Sequence, residues 1–244
     1  MRARFSGICY NDGMPAPSAP TKPTIQQLRL PLERPGEAEP FVISASNAEA
    51  ADMLARWPDG VDPVLSLYGP AGSGKSRLAA AWAERVGAIP LHGSEAAVVD
   101  PSDLEGRAVL LDRAPDADDE SLFHLINLAH SGGGSLLMVS RSAPRAWTVA
   151  LPDLRSRLNA IRTVTIEAPD DAVLSAILHA RFAERSITPS ADVIDYLVRR
   201  LDRSSAAAAQ VVDRLDALHR PVTRVLARQV LDALAEADAS ADPV

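Results

Sequence analysis

The eight residues Gly69, Pro70, Ala71, Gly72, Ser73, Gly74, Lys75 and Ser76 carry the most specific chemical pattern in the chain. They fit G-x-x-x-x-G-K-[ST], directly after an apolar run (63–69) and at the head of a helical pattern (74–87). That context is the one phosphate binding requires. The glycines let successive backbone N–H groups turn toward a phosphate chain, and the helix N-terminus adds its positive end. Lys75 would reach the terminal phosphates and Ser76 would ligate Mg²⁺. The alternative, a glycine-rich turn that binds nothing, requires eight residues and their strand–loop–helix setting to agree by chance.

A second acidic anchor for the metal belongs at the end of a later buried strand. Asp112 follows four apolar residues (108–111) and would hold Mg²⁺ through water. An Asp after a strand also serves as a plain loop cap. Its neighbour is Arg113, which stays protonated and cannot polarise a water for attack. Asp116, Asp118 and Asp119 lie near, past a proline. The expectation is nucleotide binding with weak or absent hydrolysis. Ser140 and Arg141 end the following strand and would face the phosphate region, or are ordinary polar residues at a strand end. Arg155 and Arg157 lie on a short helical pattern at the edge of the core. A surface arginine pair is unremarkable by itself, but in an assembly of such modules one subunit lends an arginine to its neighbour's γ-phosphate.

The elements around these residues alternate. The apolar runs at 63–69, 88–93, 108–112, 135–140 and 163–167 are separated by helical patterns, which predicts a five-stranded parallel sheet with helices on both faces. After Pro169 four segments of helical spacing follow, opened by capping-type residues or proline, and predict a small all-helical lid. The expected organisation is a Pro-rich tail (1–40), a nucleotide-binding core (41–168) and the lid (169–244).

A net charge of −7 argues against a protein held on nucleic acid by bulk electrostatics. The single cysteine, Cys9, excludes an internal disulfide framework. No signal-peptide pattern and no run of about 18 apolar residues is present, so a cytoplasmic protein without a membrane span is expected. Seven of the 19 prolines fall between residues 15 and 40, which marks that segment as extended or disordered. Met14 opens this stretch, so residues 1–13 are an alternative upstream start. Within the tail, Leu28, Leu30 and Leu32 alternate, which puts three leucines on one side of an extended strand. Either the strand folds back on its own domain or it is bait for another protein.

Together the segments 41–50, 67–83, 108–115, 136–144 and 151–158, with the helical lid, resemble the AAA+ family. Within it they are similar to the replication initiator DnaA and, most closely, to its truncated Hda-type relatives, which inactivate the initiator after replication begins. The resemblance covers roughly residues 24–235 and implies ATP or ADP as ligand, with Mg²⁺. It makes Gly69 to Ser76, Arg77, Asp112 and Ser140 the nucleotide-binding set. It also makes the strip at 27–32 a ligand of the DNA-polymerase sliding clamp, with Gln27 in a polar pocket and Leu28, Leu30 and Leu32 at an apolar groove, an extended-peptide mode. Arg157 matches the family's arginine finger, acting in trans on ATP bound to the initiator DnaA.

Three departures stand out. Ala206 occupies the place of the lid's nucleotide-sensing arginine, Arg113 stands beside Asp112, and no helix-turn-helix domain follows the lid before Val244. Sequence-specific DNA binding is therefore not expected, and a homodimer is left open. The rival readings are a small-molecule kinase, an initiation or loading factor that binds DNA, and a clamp-docked structural adaptor.

Overall fold

The computed structural model describes residues 42–241, so the strip at Gln27, Leu28, Leu30 and Leu32 lies outside the described residues. Five strands form one parallel sheet: β1 (Val64–Tyr68), β2 (Ile89–His92), β3 (Ala108–Asp112), β4 (Ser135–Ser140) and β5 (Arg162–Thr165). Their order is β2-β3-β4-β1-β5, which places β1 and β3 on either side of β4. Helices α1 (Ala48–Arg56), α2 (Lys75–Val86), α3 (Asp119–Ser131) and α4 (Pro152–Ala160) cover the two faces.

The near-continuous apolar character of the central strands follows from burial on both sides. Alternate residues feed two separate clusters. Val109, Leu111, Leu136 and Met138 pack against Leu122, Ile126, Leu154 and Leu158 of α3 and α4. Leu65, Leu67, Leu110, Leu137 and Val139 pack against Leu54, Leu78 and Trp82 of α1 and α2. On the second face Trp57 stacks on Trp82, centroids 5.1 Å apart, and the Trp57 carbonyl accepts from the Trp82 indole at 3.0 Å. These contacts fix where α2, and with it the phosphate loop, leaves the sheet.

A third cluster holds the lid together. α5 (Asp171–Ala183), α6 (Ala191–Val198), α7 (Ser205–Asp216) and α8 (Arg224–Ala241) surround Leu174, Leu178, Phe182, Ile194, Leu197 and Val211. All four helices expected after Pro169 are present. Asp170 caps α5 by accepting from the Val173 amide at 3.0 Å. Burial pushes the Asp170 carboxyl up, but hydrogen bonds from Ser44, Val173 and neighbouring amides outweigh it and leave its pKa below the ordinary value.

Candidate functional site

The phosphate loop runs from the end of β1 into α2 through three glycines at positive φ, Gly69 (154°), Gly72 (72°) and Gly74 (96°). A Cβ on Gly69 would stand 2.0 Å from the Ile166 carbonyl oxygen, so backbone meets backbone there. A Cβ on Gly72 would stand 3.0 Å from both the Ser204 Cβ and the Ser205 amide nitrogen. That second approach belongs to the lid, because the Ser205 N–H donates to the Gly72 carbonyl at 3.3 Å. The first turn of α7 therefore rests on the phosphate loop.

Lys75 is 8% exposed. Its Nζ donates to the Pro70 carbonyl at 2.5 Å and lies 3.4 Å from the Ser73 hydroxyl. Burial holds its pKa below the ordinary 10.5, the Arg141 guanidinium adds to that depression, and Asp112 opposes it. Lys75, Arg141 and Asp112 thus feel one another's charge at the carboxyl ends of the parallel strands, where open α/β sheets hold their ligands. Ser76 exposes its hydroxyl on the first turn of α2, and Arg77 is half-buried behind it.

Oxygen donors such as the Ser76 hydroxyl and the Asp112 carboxylate suit Mg²⁺. Among the described residues no group of three or more His, Cys, Asp or Glu side chains could hold a metal alone, so such a cation would need ligands from a phosphate chain.

Arg113 adopts a left-handed backbone, φ 51°, and its amide donates to the Asp112 carboxylate at 2.9 Å. Its guanidinium lies 3.8 Å from Asp116. Asp118 caps α3 by accepting from the Ser121 amide at 2.9 Å. Asp119 accepts from the amides of Ala150 and Leu151 at 2.6 and 3.1 Å. Asp116 and Asp118 are accordingly engaged with near neighbours and Asp119 with the loop before α4, and Asp112 is followed by an arginine.

The Ser140 hydroxyl donates to the Ser142 carbonyl at 2.7 Å, so its proton is engaged within its own turn. The two arginines of α4 separate. Arg155 donates to the Trp147 carbonyl at 2.6 Å and acts as a brace for the loop before α4. Arg157 lies with its guanidinium carbon 5.1 Å from the centroid of the Phe123 ring and forms no ion pair among the described residues.

Two features escape sequence reasoning. A hollow of about 460 Å³ opens between Ala45–Ser46 and the core–lid joint at Glu167–Ala172. Arg203 closes one side of it, paired with Asp171 at 2.7 Å and donating to the Pro169 carbonyl at 3.3 Å. Arg203 is thereby committed to the joint and does not reach forward as a substitute for the arginine missing at Ala206. No local signal in the sequence announces either arrangement, because both join segments more than 30 residues apart.

If Lys75 meets phosphate, nucleotide binding above neutral pH should take up protons. Phosphate favours the charged ammonium and raises a pKa that burial has lowered. Between the two values the free protein lacks the proton and the complex carries it. Calorimetric titration at a series of pH values above neutral, in buffers of different ionisation enthalpy, measures this uptake. Zero uptake at every alkaline pH would remove Lys75 from the phosphate contacts.

No protein-family model matches the chain. It is 28% identical over 130 residues to the chromosomal replication initiator protein DnaA of Thermomicrobium roseum, a match covering 52% of this chain and 27% of the initiator. The chain therefore spans about a quarter of that relative's length. Its fold superimposes on domain III of the Thermotoga maritima replication initiation protein DnaA with a TM-score of 0.62 at 19% identity, covering 79% of this chain and 94% of that one. The AMPPCP-bound DnaA of Aquifex aeolicus gives a TM-score of 0.58 at 18% identity, over 72% of this chain and 63% of that one. Among the described residues no helix is long and apolar enough to cross a membrane. The five-stranded core with its helical bundle has the fold of DnaA domain III, and about half of the chain is similar in sequence to DnaA.

Proposed function

We propose that this chain is an Hda-like regulator of chromosome replication. It binds an adenine nucleotide with Mg²⁺ on the phosphate loop, docks on the sliding clamp through Gln27, Leu28, Leu30 and Leu32, and promotes hydrolysis of ATP bound to the initiator DnaA. The observation that carries this reading is the division between Arg157 and Arg113. Arg157 stands on α4, stacked on Phe123 and without a carboxylate partner among the described residues, so its charge is available to a partner's phosphate. Arg113 occupies the position beside Asp112 where a hydrolytic carboxylate would be needed, and Asp116, Asp118 and Asp119 each have partners within the domain. A protein so equipped would act on a neighbour's nucleotide more readily than on its own. The roles follow from the side chains: Lys75 and the loop N–H groups bind phosphate, Ser76 and Asp112 would hold the cation, and the hollow beside Arg203 leaves room for the base.

Clamp docking is tested by calorimetric titration of purified sliding clamp with the intact protein and with a Gln27→Ala, Leu28→Ala double variant. The intact protein should bind, and the double variant should lose at least about tenfold in affinity, since anchors in pockets dominate such contacts. No binding by the intact protein would overturn the clamp assignment. Binding that persists alongside an inert Arg157 would favour a clamp-docked adaptor.

A further inference from the structure

We propose that the helical lid carries a self-complementary docking face, through which two copies of this chain pair α6 against α6 in antiparallel order. The face surrounds a hollow of about 530 Å³ lined by Asp192, Asp195, Tyr196, Arg199, Arg200 and Arg224. None of these residues belongs to the phosphate loop or to α4, so the inference stands apart from the nucleotide reading.

Within one copy the charges of this face leave one another unsatisfied. Asp192, Asp195, Arg199, Arg200 and Arg224 are exposed, and none forms a side-chain hydrogen bond or ion pair among the described residues. Elsewhere in the same bundle Arg181, Arg185, Arg203 and Arg228 each hold a carboxylate. The order of charge along α6 sets the geometry of pairing. Asp192, Asp195 and Arg199 stand three and four positions apart, on one helical stripe, and Arg200 follows at its end. The stripe is acidic toward the helix N-terminus and basic toward the C-terminus. A two-fold axis across α6 therefore sets the acidic half of each helix against the basic end of the other, the isologous arrangement of a closed dimer. Antiparallel helices also bring opposite dipole ends together.

The basic half is prepared for such a contact. Tyr196 is 9% exposed, and its ring centroid lies 4.9 Å from the guanidinium carbon of Arg200 and 5.0 Å from that of Arg224. The ring holds two planar forks from α6 and α8 in place, so less freedom is lost when each grips a carboxylate. Arginine and tyrosine are also the residue types on which interface energy concentrates. The mixed charge selects the occupant. A nucleic-acid backbone is anionic throughout and would meet Asp192 and Asp195 on a chain of net charge −7. A second copy presents both signs in the order this face requires.

The test is sedimentation equilibrium of the full-length protein without nucleotide. A face built on one short helix belongs with the small interfaces below about 1,200 Å², so wild type should dimerise with a Kd on the order of 10–100 µM. Two double variants are compared, Arg200→Glu with Arg224→Glu and Asp192→Arg with Asp195→Arg. Each alone should weaken association about tenfold or more, because like charges then face each other. Their equimolar mixture should associate at least as tightly as wild type, since an acidic face meets a basic one. All four positions are exposed, and melting curves near that of wild type would show that both variants fold. A wild type that stays monomeric to about 500 µM would overturn the proposal. Association untouched by either reversal, or a mixture of the two variants that stays monomeric, would do the same. A monomeric wild type that binds a single-stranded oligonucleotide, with binding lost in the Arg200→Glu, Arg224→Glu variant, would assign the face to nucleic acid instead.

Discussion

Replacing Arg157 by alanine should reduce stimulated hydrolysis of initiator-bound ATP by about 10³-fold or more, the scale of an arginine supplied in trans to a γ-phosphate. The effect on folding should be small. Arg157 contributes a cation–π contact on Phe123, 5.1 Å from ring centroid to guanidinium carbon, worth about 1 kcal/mol at a partly exposed site. Arg157→Lys separates charge from geometry. Lysine keeps the positive charge but not the planar fork, so most of the stimulation should still be lost. Phe123→Ala should fall between, because the ring aims the guanidinium without touching the partner's nucleotide. The measurement is the rate of phosphate release from ATP-loaded DnaA in the presence of DNA-loaded clamp and each variant. Stimulation by Arg157→Ala at the wild-type rate would remove the trans-acting role.

The second large effect concerns Gly69. An alanine there would force its Cβ to within 2.0 Å of the Ile166 carbonyl oxygen and 3.1 Å of that carbonyl's carbon. Neither atom can rotate away. Ile166 is wholly buried and its amide donates to the Tyr68 carbonyl at 2.9 Å, while the next amide, of Glu167, donates to the Ser46 carbonyl at 2.9 Å. The left-handed backbone at φ 154° adds strain of its own. Gly69→Ala should therefore lower stability by about 4 kcal/mol, at the top of the range for single substitutions. For a protein of this size that lowers Tm by roughly 10 °C. Gly72→Ala is the useful comparison. Its Cβ meets Ser204 and Ser205 at 3.0 Å, so the lid can shift while the sheet stays intact, and the loss should be smaller. Calorimetric melting of both variants checks the order. A Gly69→Ala protein that melts within about 2 °C of wild type would mean that β1 and the strand end at Ile166 separate easily.

The phosphate loop was legible in the sequence because its requirement is local: glycines where φ must be positive, a lysine and a hydroxyl at fixed offsets. The five strands and the four lid helices were legible for a similar reason, since burial on both faces or on one stripe writes its own period. Strand order was not written anywhere, and it is strand order that puts Arg141 between the loop and Asp112. The conduct of individual polar groups was equally hidden. Ser140 reads as a phosphate contact, yet its hydroxyl proton closes its own turn. Arg155 and Arg157 read as an equivalent pair, yet one braces backbone carbonyls and the other lies on a ring from α3. Nothing beside Arg203 in the sequence announces a partner, yet a carboxylate 32 positions earlier holds it at the joint. Each of these outcomes depends on contacts between distant segments, which no window along the chain contains.

The seat of Ser204 and Ser205 on Gly72 makes lid placement and loop shape one variable. In the language of linkage, a ligand that prefers the loop with α7 seated favours that lid position by its differential affinity, and by no more. The relation is reciprocal. Any partner that grips α5 to α8 in the seated position tightens the nucleotide by the same factor by which the nucleotide tightens the partner. The lid of this chain carries no charged side chain in the turn that touches the loop, so that exchange of free energy passes through backbone fit between serine and glycine rather than through a charge reaching a phosphate.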